Sequence, residues 1–119
     1  MQTHDWTKTV DDYTGALRQL RSGEPDTMKA FSALARAVLE PKALDVKTKE
    51  LISLAIAVAV RCDSCIAFHV EAAVRQGATR EEVLEVMATA IYMGAGPSVM
   101  YAAQALEAFD QFARKSAAA

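Results

Sequence analysis

Cys62-Asp63-Ser64-Cys65-Ile66-Ala67-Phe68-His69 holds the chain's only two cysteines, three apart, and one of its two histidines four residues after the second. Read as a helix, steps of three and four residues bring Cys62, Cys65 and His69 to neighbouring positions on one face. Two sulfurs held so closely can close a local disulfide, and the imidazole stands within reach of the second. Asp63 and Ser64 read as a helix start, which sets Cys62 near the positive end of the helix dipole. A helix N-terminus or a nearby histidine lowers a thiol's pKa from about 8.5 toward neutrality or below. The segment therefore predicts redox chemistry, the dipole favouring Cys62 and His69 being better placed to serve Cys65. Two other readings fit the same residues: buried structural cysteines, or a metal site built on Cys62, Cys65 and His69. A structural zinc site usually needs four protein ligands, so a carboxylate or another chain would have to complete it.

Immediately upstream, Asp45 caps a predicted helix from Val46 to Val60 that passes from Lys47-Thr48-Lys49-Glu50 into the nearly unbroken apolar stretch Leu51 to Val60. A helix apolar on every side must be buried on every side, and in so small a chain this predicts a subunit interface. Glu50 is the last charge before that stretch and a candidate for being drawn inside. Twelve residues separate it from Cys62, about 18 Å along a straight helix. The two approach only if the chain bends near Arg61 to Asp63 or if Glu50 comes from a neighbouring chain. Downstream, the helix carrying the cysteines runs to Gln76 and stops at Gly77. Thr79-Arg80-Glu81-Glu82 is a capping box, and it opens a helix with the stripe Val83, Val86, Met87, Ala90 and Ile91. Gly94-Ala95-Gly96-Pro97 ends it, and Ser98 begins a last helix carrying Val99, Met100, Ala103, Leu106, Phe109 and Phe112.

In the N-terminal third, residues 11 to 21 place Tyr13, Leu17 and Leu20 on one side of a short amphipathic helix, which Ser22-Gly23-Glu24-Pro25 breaks. Asp26 or Thr27 caps a second helix whose stripe, Met28, Phe31, Leu34, Ala35, Val38 and Leu39, reads as core until Pro41 stops it. Trp6 reads as an anchor for the N-terminal arm, and His4 as a solvated residue without a role. No segment alternates in the manner of a strand, so the chain reads as all-α, about six helices in a single domain over residues 1 to 119.

A chain that is 52% apolar and 24% charged is a folded protein, and its formal net charge of −2 offers no general attraction to nucleic acid or to an anionic membrane. The longest apolar run, Leu54 to Val60, is far shorter than the roughly 20 residues of a membrane span. Met1 to Trp6 contains no basic segment leading into an apolar one, so the expectation is a cytoplasmic protein. In a reducing compartment, cysteines so spaced point to catalytic, redox or metal-binding work rather than to a permanent staple.

Taken together, Lys47-Thr48-Lys49-Glu50-Leu51-Ile52, the eleven residues between Glu50 and Cys62, the C-x-x-C-x-x-x-H segment, Gly77-Ala78-Thr79-Arg80-Glu81-Glu82 and Gly94-Ala95-Gly96-Pro97 resemble the AhpD-like branch of the carboxymuconolactone decarboxylase family, over about residues 44 to 110. The resemblance implies an all-helical fold assembled as a homo-oligomer, trimer or hexamer. It implies a thiol-dependent peroxidase or disulfide reductase acting on hydroperoxides without a bound cofactor or metal. Cys65 would be the nucleophile that passes through a sulfenic acid, Cys62 the resolving thiol and proton donor, and Glu50 and His69 a proton relay through a water. A dithiol reductant of the lipoyl type and a peroxiredoxin partner are implied in the same way. One departure is Ser64, where the better-known peroxidase members carry a histidine, so proton delivery is expected to be weaker or differently arranged. Longer relatives also contain more than one such helical unit, which leaves this chain to rely on partner chains for burial. The decarboxylase branch resembles it in fold but does not rely on a cysteine pair. The non-enzymatic alternative is an oligomeric helical module whose cysteines bind metal or sense oxidant.

Overall fold

A computed structural model describes residues 1–119, and its regular structure is entirely helical: α1 (Trp6–Gly23), α2 (Pro25–Leu39), α3 (Val46–Ala59), α4 (Asp63–Arg75) and α5 (Arg80–Ala118). The boundaries follow local chemistry. The Asp45 side chain accepts a hydrogen bond from the Thr48 amide at 2.8 Å and starts α3. Thr79 and Glu82 form the reciprocal capping box of α5, while Gly77, at φ 81°, takes the left-handed conformation that ends α4. Pro25 occupies the first turn of α2, where its missing N–H costs nothing, and no side chain caps that helix. Its C-terminus is closed from outside, by the Lys49 ammonium donating to the carbonyls of Val38 and Glu40.

Helix α5 is a bent element. Thirty-nine residues of straight helix would reach about 58 Å, yet the molecule measures 38 × 37 × 32 Å. The bend lies at Ala95, with φ 56° and ψ −143°, inside the Gly94 to Pro97 stretch. Counting its two arms separately gives six helical segments. A Cβ on Gly94 would run into the Ser98 side chain, so the close turn requires glycine there. Arg80 on the first arm donates two hydrogen bonds to Asp110 on the second, at 3.0 and 3.3 Å. By length and composition α5 is apolar enough to cross a membrane, but here both arms contribute to one core through Val83, Met87 and Ala90, then Ala102, Ala105, Phe109 and Phe112. Val99 and Met100 lie outside that face and are exposed.

Two expectations for the N-terminal third are corrected. Helix α1 begins at Trp6, upstream of residue 11, because Asp5 caps it by accepting from the Lys8 amide and because Trp6 is fully buried. The stripe on α2 is not core: none of its residues is buried, and Phe31 is 63% exposed. Periodicity shows which face of a helix is apolar, not what covers it, and α2 packs chiefly on α1. The two sides of α3 separate in a similar way. Leu51, Leu54, Ala57 and Val58 are buried, whereas Ile52, Ile56 and Val60 stand exposed.

The N-terminal arm is tied to the far end of the chain. The Thr3 amide and hydroxyl, the His4 amide and the Trp6 indole N–H all donate to the Glu107 carboxylate, at 2.6–3.2 Å. Burial pushes that carboxyl's pKa up, but the hydrogen bonds from Thr3, Trp6 and His4 together outweigh it and hold the value at about 2, below the ordinary 4.5. Because the folded value is depressed, the carboxylate's contribution to stability is present above pH 4.5 and is lost as pH falls toward 2. Glu107→Gln is expected to be less stable than the parent at neutral pH, with the gap closing over that acid window. Urea titrations followed by the emission of the single tryptophan at pH 7, 4 and 2.5 check it; a constant gap would contradict the assignment.

Candidate active site

Helices α3 and α4 meet at a sharp corner that brings the sequence-predicted residues together. Arg61 adopts φ 60°, a left-handed conformation that costs a non-glycine residue about 1–2 kcal/mol. The corner is held by the Arg61 amide donating to the Val58 carbonyl at 3.2 Å and the Cys62 amide to the Ala57 carbonyl at 3.1 Å. It turns α4 back along α3, and His69 Nδ1 lies 3.1 Å from Glu50 Oε1. Glu50 therefore reaches the site within its own chain, by the bend rather than from a neighbour.

The Glu50 carboxylate is 4% exposed, at the point where α3 turns from polar to apolar. A carboxylate taken out of water is tolerated when a donor satisfies it, and the imidazole N–H is that donor. With Nδ1 committed to Glu50, the ring's Nε2 has no protein partner. His69 and Cys65 line a common cavity of about 240 Å³ with Ser53, Ile56, Ala57 and Val60. Its wall is mostly aliphatic.

Cys62 and Cys65 are joined as a disulfide, with their Cα atoms 5.2 Å apart. Cys62 is the N-cap of α4, its sulfur accepting from the Cys65 amide at 3.2 Å. The Ser64 hydroxyl lies 3.7 Å from the same sulfur. The start of α4 thus surrounds Cys62 with donors, as the dipole reading expects, while Cys65 faces the cavity that holds His69. No group of three His, Cys, Asp or Glu side chains converges in a way that could hold a metal ion.

One residue was missed by sequence reasoning. His4 is partly buried against Trp6, with ring centroids 4.6 Å apart, and its Nε2 lies 3.6 Å from Asp63 Oδ2 beside the cysteine pair. Nothing in the local pattern around residue 4 signals a contact with residue 63.

The fold agrees with what known proteins show. The model of the carboxymuconolactone decarboxylase family matches residues 25–108, reaching back to the start of α2. An uncharacterised protein of Cupriavidus necator is 45% identical over 96 residues, 81% of this chain and 82% of its own. A carboxymuconolactone decarboxylase family protein of Legionella pneumophila, crystallised in its apo form, superposes with a TM-score of 0.89 at 50% identity, covering 91% of this chain and 96% of that one. A family protein of Thermotoga maritima, for which a part in an antioxidative response has been suggested, has a TM-score of 0.80 at 31% identity over 92% of this chain and 93% of its own. The chain belongs to the carboxymuconolactone decarboxylase family.

The Glu50–His69 pair can be tested apart from any activity. His69→Ala leaves a buried carboxylate without its donor, a loss of about 1–3 kcal/mol, whereas Glu50→Gln removes the charge and keeps the shape. Urea unfolding of both variants should show His69→Ala as the more destabilised. Equal or reversed losses would mean that the imidazole does not hold Glu50.

Proposed function

We propose that the chain is a thiol-dependent peroxidase or disulfide reductase that consumes organic hydroperoxides, with Cys65 as nucleophile. The observation that carries this reading is the buried Glu50 bonded to His69 on the wall of the cavity that Cys65 lines. The cavity gives an alkyl group aliphatic contacts with Ile56, Ala57 and Val60, and the pair gives the departing oxygen a proton.

In the first step the Cys65 thiolate attacks the terminal peroxide oxygen. The O–O bond breaks, and the leaving alkoxide takes a proton from His69, which Glu50 stabilises as an imidazolium. The products are an alcohol and a sulfenic acid on Cys65. The Cys62 thiolate then attacks the Cys65 sulfur, the S–O bond breaks, the oxygen leaves as water after protonation, and the disulfide forms. An external dithiol, of the lipoyl type or presented by a peroxiredoxin system, reduces it and is itself oxidised to a disulfide. The cycle needs no metal or bound cofactor and suits a cytoplasmic setting where dithiols are kept reduced.

The single mutants separate the two sulfurs. In Cys62→Ser, one equivalent of hydroperoxide should leave a sulfenic acid on Cys65 that accumulates and ends turnover. In Cys65→Ser, rapid oxidation should be lost while Cys62 still reacts slowly with alkylating agents. Trapping the sulfenic acid chiefly on Cys62 would reverse the roles, and fast oxidation of neither would remove the peroxidase reading.

The same reading includes a homo-oligomer, trimer or hexamer. The chain exposes 7516 Å², whereas a compact monomer of 12.8 kDa exposes about 6,300 Å². The difference exceeds the roughly 800 Å² that one partner contributes to a standard interface. Phe31, Leu34 and Val38 on α2, and Ile56 and Val60 at the cavity mouth, are the exposed apolar side chains a second copy would cover. Sedimentation velocity at micromolar concentration should show a species of three or six chains. A single monomer boundary would refute assembly and leave the cavity mouth open to solvent.

A further inference from the structure

His4 is a titratable side chain that the proposed cycle leaves unused, and it is held against Asp63, the residue after Cys62, from several sides. The His4 N–H donates to Glu107 Oε1 at 3.2 Å and its carbonyl accepts from Gln111 Nε2 at 2.8 Å. The next turn is fixed as well, by the Trp6 amide donating to Gln111 Oε1 at 2.7 Å. The imidazole is thus delivered to the N-terminus of α4 by a docked arm.

The hydrogen-bond inventory then determines what the ring presents. An ionised carboxylate only accepts, so the Thr3 hydroxyl gives its proton to Glu107, at 2.6 Å. Thr3 Oγ1 can offer only a lone pair to His4 Nδ1, 3.0 Å away, and Nδ1 must carry a hydrogen. Nε2 faces Asp63 Oδ2 at 3.6 Å, a second acceptor. The ring thus stands between Thr3 Oγ1 and the Asp63 carboxylate, and when protonated it faces that carboxylate as a cation. The carboxylates held against residue 4 are Asp63 on α4 and Glu107 on α5. Asp63 is the first residue of α4 and follows Cys62, the sulfur that caps that helix.

We propose that His4 is a positioning residue for Cys62: held by the docked arm against Asp63, its ring when protonated offsets that carboxylate and so favours the Cys62 thiolate. Without it, the thiolate forms next to an uncompensated negative charge, which like-charge repulsion disfavours. On the reading of Cys62 as resolving thiol, on which the catalytic meaning of this proposal rests, the arm promotes the step in which the Cys62 sulfur displaces oxygen from the Cys65 sulfenic acid. The chain thereby couples the thiol chemistry of residue 62 to a histidine in its N-terminal arm.

The test uses the full-length protein with Cys65→Ser, reduced, so that Cys62 is the sole thiol and no hydroperoxide is involved. The rate of its alkylation by iodoacetamide is measured from pH 5 to 10, and Trp6 emission reports whether the arm stays docked. Adding His4→Gln should displace the profile to higher pH and slow alkylation by about threefold on its acid limb, as half a pKa unit would. Asp63→Asn should move the profile the other way, and His4→Gln added to it should then displace the profile less, because the ring has lost the partner that holds it beside Cys62. His4→Arg keeps a cation and should restore the parental profile, which also serves as the comparison if the Gln variant undocks. An unchanged profile in His4→Gln with the arm docked, or the same displacement with and without Asp63, would overturn the proposal. Since alkylation does not depend on turnover, failure of the peroxidase reading would show only in the peroxide assays.

Discussion

Burying the Glu50 carboxylate is the constraint on which the arrangement of this molecule rests. At the point where α3 becomes wholly apolar, a charged group can enter the interior only if a donor meets it there, and the one side chain that does so is nineteen residues away, His69. To bring it back, the chain must reverse direction within a few residues, and Arg61 accepts a left-handed backbone to allow this. The reversal also fixes where the cysteines lie. They occupy the first turn of α4 because the corner ends there, and Cys65 shares a cavity with His69 because both stand on the face turned toward α3.

Around this corner, the remaining elements supply what the pair lacks. The two arms of α5 pack small residues, Ala90, Ala102, Ala105 and Ala108, against α3 and α4, which lets helices approach closely but buries little area per residue. Only 22 of 119 residues are buried, so the chain has a core rich in alanine and a surface rich in larger aliphatic groups. In the proposed assembly, those larger groups would be the ones covered between copies. Ile56 and Val60 belong both to the cavity wall and to the exposed face of α3, so the proposed interface and the proposed site would share them.

Much of this was readable from the chain because the signals are local. Asp45, Thr79 with Glu82, and Gly77 each act on backbone groups within one turn, so the helix limits they set follow from sequence alone. The Gly94 to Pro97 break did too, as did the proximity of Cys62 and Cys65. Spacing also required a bend if Glu50 was to approach the pair, although Arg61 gives no sign of it, since a non-glycine residue with positive φ is chosen by tertiary packing. What could not be read depends on distant partners. The place of His4 is set by Glu107 and Gln111, more than a hundred residues along, and the exposed face of α2 looks the same in sequence as a buried one.

The bonds between Thr3 and Glu107, 104 residues apart, close the chain nearly end to end. Contacts of such long sequence separation carry a large loop-closure entropy and form late when a chain folds. During synthesis the order is stricter still: α1, α3 and α4 are all available before Glu107 has been made. The Glu50–His69 corner can therefore be assembled while the N-terminal arm is still loose, and His4 reaches Asp63 only after the second arm of α5 has returned over the core. The Cys62 side of the site is the last part of the molecule to be finished.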